Sequence, residues 1–462
     1  MIIGREKEQH ALKLSYESNR SEFVIVHGRR RVGKTHLIRE FFNYDFFFYC
    51  TTADTDTTEM QYIKFSRALD IEHNIKDWVE GFSLLEKKII NSPNQKKKVI
   101  FIDEIPWFCE KSKYFISFFD DFWNRFASSR KDILLIVAGS AGNFIIDEFI
   151  NATGSLYNRK TRSILLNPFS LKECAELLIS NNIKCEKQEV LEAYMTFGGI
   201  PFYLNLFDRG LSITQNIDLL FFDTNASLKN EYDILFKSLF KNSKVYTQII
   251  ELLGENSTGL TREEIIKKLK ISDSGAISKY LSSLVACGFI QNYTNFLFKK
   301  NKVIFQLTDN FCYFYIKIIK GNIINDHNYW ANFRNKPKYN TWKGYAFERV
   351  CYNHLDQIKN KLGILGVSSC YANWKVNEAQ IDLLIDRKDD IIDLIEIKFC
   401  NKDYVLDKEE YDNINNKIET FKAYSKTKKT VHSVLISNNN IKDNSYSHII
   451  DKVITLADLF KF

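Results

Sequence analysis

An apolar run, Phe23-Val24-Ile25-Val26-His27, enters the octet Gly28-Arg29-Arg30-Arg31-Val32-Gly33-Lys34-Thr35, and a stretch with helical spacing, Leu37, Ile38, Phe41 and Phe42, leaves it. Strand, glycine loop and helix in that order leave a chain few ways to fold. The octet fits G-x-x-x-x-G-K-[ST], in which glycines let the backbone wrap an anion without Cβ clashes and the following helix adds the partial positive charge of its free N–H groups. On this reading Gly28, Arg29, Arg30, Arg31, Val32 and Gly33 form a phosphate cradle. Lys34 meets the β- and γ-phosphates and Thr35 holds Mg²⁺, so ATP with Mg²⁺ is the expected cofactor. The bland alternative is a glycine turn between a buried strand and a surface helix, and the fit of both flanks weighs against it.

A second half of such a site lies downstream. Val99-Ile100-Phe101-Ile102 has the four consecutive apolar residues of a fully buried parallel strand, and it ends in Asp103-Glu104. Asp103 is placed to bind Mg²⁺ through water, and Glu104 to orient or deprotonate the attacking water. The next strand, Ile133 to Ala138, ends in Gly139-Ser140, where Ser140 either senses the γ-phosphate or simply makes a turn. Arg159 and Arg162, ahead of the strand Ser163 to Leu166, are candidates for a γ-phosphate contact or plain solvated charges. Strands alternating with helices imply an α/β fold whose parallel sheet is covered on both faces.

A chain of 462 residues exceeds what one core serves, so several domains are expected. The formal charge of +7 is a mild lean towards polyanions. Nine cysteines without a C-x-x-C pair and eight histidines without ligand spacing argue for reduced thiols in a cytoplasm and against structural zinc. Neither a signal sequence nor a membrane span is expected.

Residues 170 to 240 read as helices, opened by Ser170 with Glu173 as cap and first-turn acid. From Ser243 the pattern is helix, turn, helix and β wing, with Lys279 on the outer side of the third helix. That is a winged helix, which either contacts DNA or serves as a spacer or protein-docking module. Asn335-Lys336-Pro337-Lys338 reads as a boundary, and a helix starting at Gly344 carries Glu348. Two strands, Gln380 to Asp386 and Ile391 to Phe399, flank a turn centred on Asp389. Such a hairpin sets Asp382 opposite Glu396, Cβ atoms about 5 Å apart, close enough to share one Mg²⁺ or Mn²⁺, with Lys398 on the same face. Asp386, nearer the turn, and Asp393, on the opposite face, stand outside that cluster. An ordinary amphipathic hairpin with solvated charges is the alternative.

The ordered motifs G-R-E, G-R-R-R-V-G-K-T, V-I-F-I-D-E, V-A-G-S, N-R-K-T-R-S-I-L-L-N-P-F-S and F-G-G-I-P-F-Y-L resemble the archaeal and bacterial ATPases of the AAA+/STAND group over residues 1 to 240. The resemblance implies a nucleotide-driven switch with a helical lid, in which Gly199 and Pro201 contact the nucleotide. Glu348, Asp382 and Glu396-Ile397-Lys398 resemble the PD-(D/E)xK nucleases, and the domain resembles DUF234, with Ile381 where a proline is usual. The implied organisation is a P-loop core over 1–168, a helical lid over 169–240, a winged helix over 241–310, a linker helix over 311–340 and a restriction-endonuclease-like α/β domain over 341–462. The implied function is an ATPase coupled to a metal-dependent nuclease, with DNA as partner. A protein trigger and a homo-oligomer are compatible with it, and a nucleotide-controlled regulator with an inactive nuclease fold is the alternative.

Overall fold

The computed structural model describes residues 1–93, 96–140, 159–240, 242–294, 303–321, 326–376 and 379–461. The chain divides into two compact units, Met1–Asn167 and Pro168–Phe462.

The first unit is built on strands β1 (Glu22–Gly28), β2 (Phe48–Thr51), β3 (Lys98–Asp103), β4 (Ile133–Ser140) and β5 (Arg162–Leu166). All pairings are parallel, in the order β2-β3-β4-β1-β5. Every residue of β1 and β3 is buried, which is why both read as unbroken apolar runs: a sheet covered on two faces has no wet side to alternate with. Register then fixes the working edge. Gly28 lies beside Ser140 and Leu166, and Thr51 beside Asp103, so the carboxyl ends of the strands finish together. The helices Thr58–Leu69, Trp78–Ile90 and Lys113–Asp121 cover one face with interlocked rings, Trp78 meeting Phe115 edge-on at 4.8 Å.

The second unit opens with helices between Leu171 and Leu239, the first capped reciprocally by Ser170 and Glu173. Helices Ser243–Gly254, Arg262–Leu269 and Gly275–Ala286 follow, with an antiparallel sheet of β6 (Leu260–Thr261), β7 (Ile290–Thr294) and β8 (Val303–Leu307) in the order β6-β8-β7. A mixed sheet ends the chain. It is formed from β9 (Ser369–Val376), β10 (Ala379–Arg387), β11 (Ile391–Lys398), β13 (Thr430–Ser437) and β15 (Lys452–Thr455), ordered β15-β13-β11-β10-β9, while β12 (Tyr404–Val405) and β14 (Ile441–Lys442) pair separately. The α/β expectation holds: a parallel sheet in one unit, sheet and helices in the other.

One helix differs from the sequence expectation. It starts at Pro337 and runs to Asn353, so Gly344 lies inside it. Proline is at home in a first turn, where its missing N–H has no intrahelical partner to lose. The helix gives way to Leu355–Leu362 at His354. The His354 imidazole is fully buried; its Nε2 accepts the Leu171 N–H at 2.9 Å, so Nδ1 carries the proton and donates to Val350 O at 2.7 Å.

Candidate functional site

Backbone strain marks the loop after β1. A Cβ on Gly28 would sit 2.3 Å from the Leu166 carbonyl oxygen, and Arg31 (φ 73°) and Gly33 (φ 93°) both occupy the left-handed region. Gly33 caps the helix Lys34–Phe41, and nothing lies within 4 Å of where its Cβ would be, so the loop is open on that side. The Lys34 ammonium folds back across the loop and donates to Gly28 O (3.2 Å) and Arg29 O (3.0 Å). Thr35 Oγ1 donates to Asp103 Oδ2 at 2.7 Å. Burial pushes the Asp103 carboxyl up, and Thr35 and Lys34 oppose that. Glu104 follows in left-handed backbone (φ 53°). Its carboxyl is also pushed up by burial, with Lys34 and Arg30 favouring the charge, Asp103 opposing it and the Ser140 main chain hydrogen-bonding it. Lys34, Thr35, Asp103, Glu104 and Ser140 are thus brought together from four segments. Their chemistry fits a magnesium nucleotide: an ammonium and an open N–H cradle for phosphates, a hydroxyl and a buried carboxylate for the cation.

Two neighbours were not read from the sequence. Arg5 is buried and its Nη2 donates to Val32 O at 3.3 Å, tying the first helix to the loop. His27 Nε2 lies 3.1 Å from Ser163 Oγ, and burial, then Lys160 and Lys34, lower its pKa to about 4. Arg162 pairs with Val24 near the start of β1 and donates to Ser15 Oγ at 3.0 Å, so it stands at the far edge of the sheet. Arg159 is exposed and its charge acts on Asp120. Asn158 of the same motif lies outside the described residues.

In the second unit the ladder pairs Leu383 with Ile395 through to Asp386 with Ile392. Continued by one residue, that register sets Asp382 across from Glu396. The β9–β10 pairing shifts between Ile381 and Leu384, and such an irregularity re-aims the side chains beside it. The Ile397 N–H donates to Asp382 Oδ2 at 2.9 Å. Lys398 Nζ lies 3.1 Å from Glu396 Oε1 and 3.6 Å from Glu410 Oε1, while Lys417 Nζ lies 2.7 Å from Glu396 Oε2. Burial, then Asp382, raises the Glu348 carboxyl; burial, then Glu396, raises that of Asp382. Glu348, Asp382, Glu396 and Lys398 therefore share one electrostatic neighbourhood. Glu410 and Lys417, from the helix Lys408–Ser425, were missed. Their signal was the shared helix face with buried Ile414 and Phe421. Among the described residues no group of three or more His, Cys, Asp or Glu is arranged to hold a metal as it stands. Gly199 (φ 68°) belongs to this unit, where an added Cβ would meet Phe169 O at 2.4 Å, and Pro201 starts the helix Pro201–Leu204.

The sheet order and the loop geometry define the first unit as a P-loop ATPase domain. Residues 2–207 match the family ATPase_2, an ATPase domain predominantly from Archaea. An uncharacterized protein of Methanocaldococcus jannaschii is 26% identical over 389 residues, 83% of this chain and 84% of its own length. Among solved structures, a Walker-type ATPase of Pyrococcus abyssi is similar at 18% identity and a TM-score of 0.47, covering 69% of this chain and 96% of that one. The Aeropyrum pernix ORC2 protein is similar at 10% identity and 0.41, covering 68% and 93%. No helix among the described residues is long and apolar enough to cross a membrane.

Proposed function

We propose that this chain is an ATP-hydrolysing switch of the AAA+/STAND kind coupled to a metal-dependent nuclease that acts on DNA. The observation that carries the first half is the convergence of Lys34 and Thr35 on Asp103 and Glu104. Lys34 exchanges its carbonyl partners for nucleotide phosphates, and Glu104, held beside Asp103 and the Ser140 main chain, orients the water that attacks. Bound Mg²⁺, held by Thr35 and Asp103, supplies neutralisation of the β- and γ-oxygens.

The second half rests on Glu348, Asp382, Glu396 and Lys398 meeting from separate elements. Three carboxylates that repel one another in a buried place, offering oxygen donors only, suit a hard divalent cation. Such a cation, held by Asp382 and Glu396 with Glu348 beside them, supplies polarisation of a phosphodiester. Lys398 positions the water or offsets developing charge on phosphorus. The three helices with their β wing form the winged helix that joins the parts, and exposed Lys279 is its candidate DNA contact. Genome defence or processing of mobile DNA fits such a coupling. A second reading, a nucleotide-controlled regulator with a retired nuclease fold, is favoured by the two ammonium groups already clamped on Glu396. Purified protein assayed on DNA and RNA with Mn²⁺, with and without ATP, tests both. Cleavage that survives Asp382→Ala combined with Glu396→Ala leaves only the regulator.

A further inference from the structure

Two cavities adjoin at the amino ends of the first unit's strands. One, of about 780 Å³, is lined by Tyr16, Lys96, Lys97, Arg130, Lys131 and Asp132 among others. The second, about 720 Å³, shares Tyr16, Lys96 and Lys97 and adds the rings of Phe41, Phe42 and Phe47. Each has the size of a ligand pocket, roughly 300–1,000 Å³. A seven-residue strand separates this edge from the phosphate loop, a span of roughly 20 Å, so a nucleotide on Lys34 does not reach it.

The charges here are unbalanced. Asp132 is saturated, taking Lys98 Nζ at 2.7 Å and two bonds from Arg130 at 2.8 Å each, and that ion pairing holds its carboxyl near 2. Lys97 is fixed as a standing positive charge, its Nζ on Ser15 O and Ser18 O at 2.9 Å and on Ser18 Oγ at 2.7 Å. Lys96 and Lys131 are exposed and have no carboxylate partner among the described residues. Against these cations the second cavity offers one further acid, exposed Asp45. The aromatic side is organised: Tyr16 meets Phe42 edge-on at 5.6 Å, and Phe42 meets Phe41 at 4.9 Å.

We propose that this trench binds single-stranded nucleic acid. A row of cations beside partly exposed rings matches a chain whose phosphates repeat alongside flat, stackable bases. An acidic peptide would satisfy the lysines and leave the rings unused. Duplex, with its bases stacked inside, presents no ring face to them. The inference rests on the reading that nucleic acid is the partner, but it places the contact away from both the winged helix and the Asp382–Glu396 hairpin.

Fluorescence anisotropy of the full chain with a labelled oligothymidylate in EDTA tests it. Lys96→Glu with Lys131→Glu should weaken binding at least tenfold. It should also flatten the plot of log affinity against log salt by about 1.4, since each phosphate contact on a single strand contributes about 0.7. Tyr16→Ala should weaken binding and leave that slope unchanged. Unaltered ATP turnover in these variants shows that the fold is intact. A complex indifferent to the double variant but lost in Lys279→Glu overturns the trench while the nucleic-acid reading stands. Equal displacement of the oligonucleotide by polyglutamate overturns the trench as well. Absence of any complex at low salt overturns both.

Discussion

Lys34 and Glu104 sit within one cluster and have separable duties. Lys34 donates to loop carbonyls that phosphates replace, so it acts in binding; Glu104 faces the place of the water, so it acts in turnover. Lys34→Ala is expected to weaken ATP binding by roughly tenfold or more, since hydrogen bonds to charged groups are each worth about 1.5–3 kcal/mol. Glu104→Gln should keep the affinity and slow turnover by about 10²-fold. Isothermal titration and phosphate release separate the two, and unchanged affinity in the Lys34 variant sinks the loop assignment. Gly28→Ala should lower the melting temperature of the first unit, because the backbone conformation and the Leu166 carbonyl both refuse a Cβ, at a cost of about 1–3 kcal/mol. These residues were legible because their chemistry is encoded by spacing along a strand–loop–helix. Arg5 was not: one basic residue ahead of a helix reads as surface until its Nη2 is seen on Val32. Asp393 misled in the other direction. Its alternation off the Asp382 face is real, yet it is fully buried, 3.5 Å from Arg387 and 3.7 Å from His432. Asp386, paired with Lys429 at 2.7 Å on a half-exposed site, is the safer control in any hairpin panel.

At the level of elements, the hairpin centred on Asp389 was readable because alternation and turn residues fix register locally. The helix Lys408–Ser425 was not, since acids and lysines at helical spacing also describe a solvated face. Lys417 gives it a sharper test. Its ammonium occupies one oxygen of Glu396, so Lys417→Ala should raise Mn²⁺ affinity several-fold by removing a competing cation about 3 Å away. Lys398→Ala should retain the metal and lose roughly 10²-fold or more in cleavage rate, as a group acting on transition-state charge does. Titration calorimetry alongside strand cleavage checks both, and a Lys417 variant with unchanged Mn²⁺ affinity argues for the regulator. The Pro337 start was missed because Lys336-Pro337-Lys338 suits a linker as well as a first turn.

Across the molecule, the helices expected as a lid are built into the second unit. Leu171 bonds His354, Gln188 Nε2 donates to Asn438 O at 2.8 Å, and Glu192 takes Trp330 Nε1 at 3.0 Å and Tyr339 at 3.1 Å. Such contacts join stretches far apart in the chain, and no local pattern announces them. Each unit also holds a buried neutral histidine, His27 in one and His354 in the other, both lowered to about 4 chiefly by burial. An unfolded histidine titrates near 6.5, so as pH falls the unfolded chain takes up protons first. Stability present above about pH 6.5 is therefore lost progressively down to about 4 in both units. Calorimetric melts across that range should show it, and His354→Gln should flatten the dependence of the second unit alone.

The place of β1 in its sheet has a consequence for synthesis. It is the first strand a ribosome releases, yet its partners are β4 and β5, which end at Ser140 and Leu166. While β2 and β3 can pair with each other, β1 waits without a neighbour, and the nucleotide loop at its end has no wall. A nascent chain therefore cannot be rescued by ATP until Leu166 has cleared the exit tunnel, which leaves an apolar strand exposed to chaperones for as long as the intervening residues take to make.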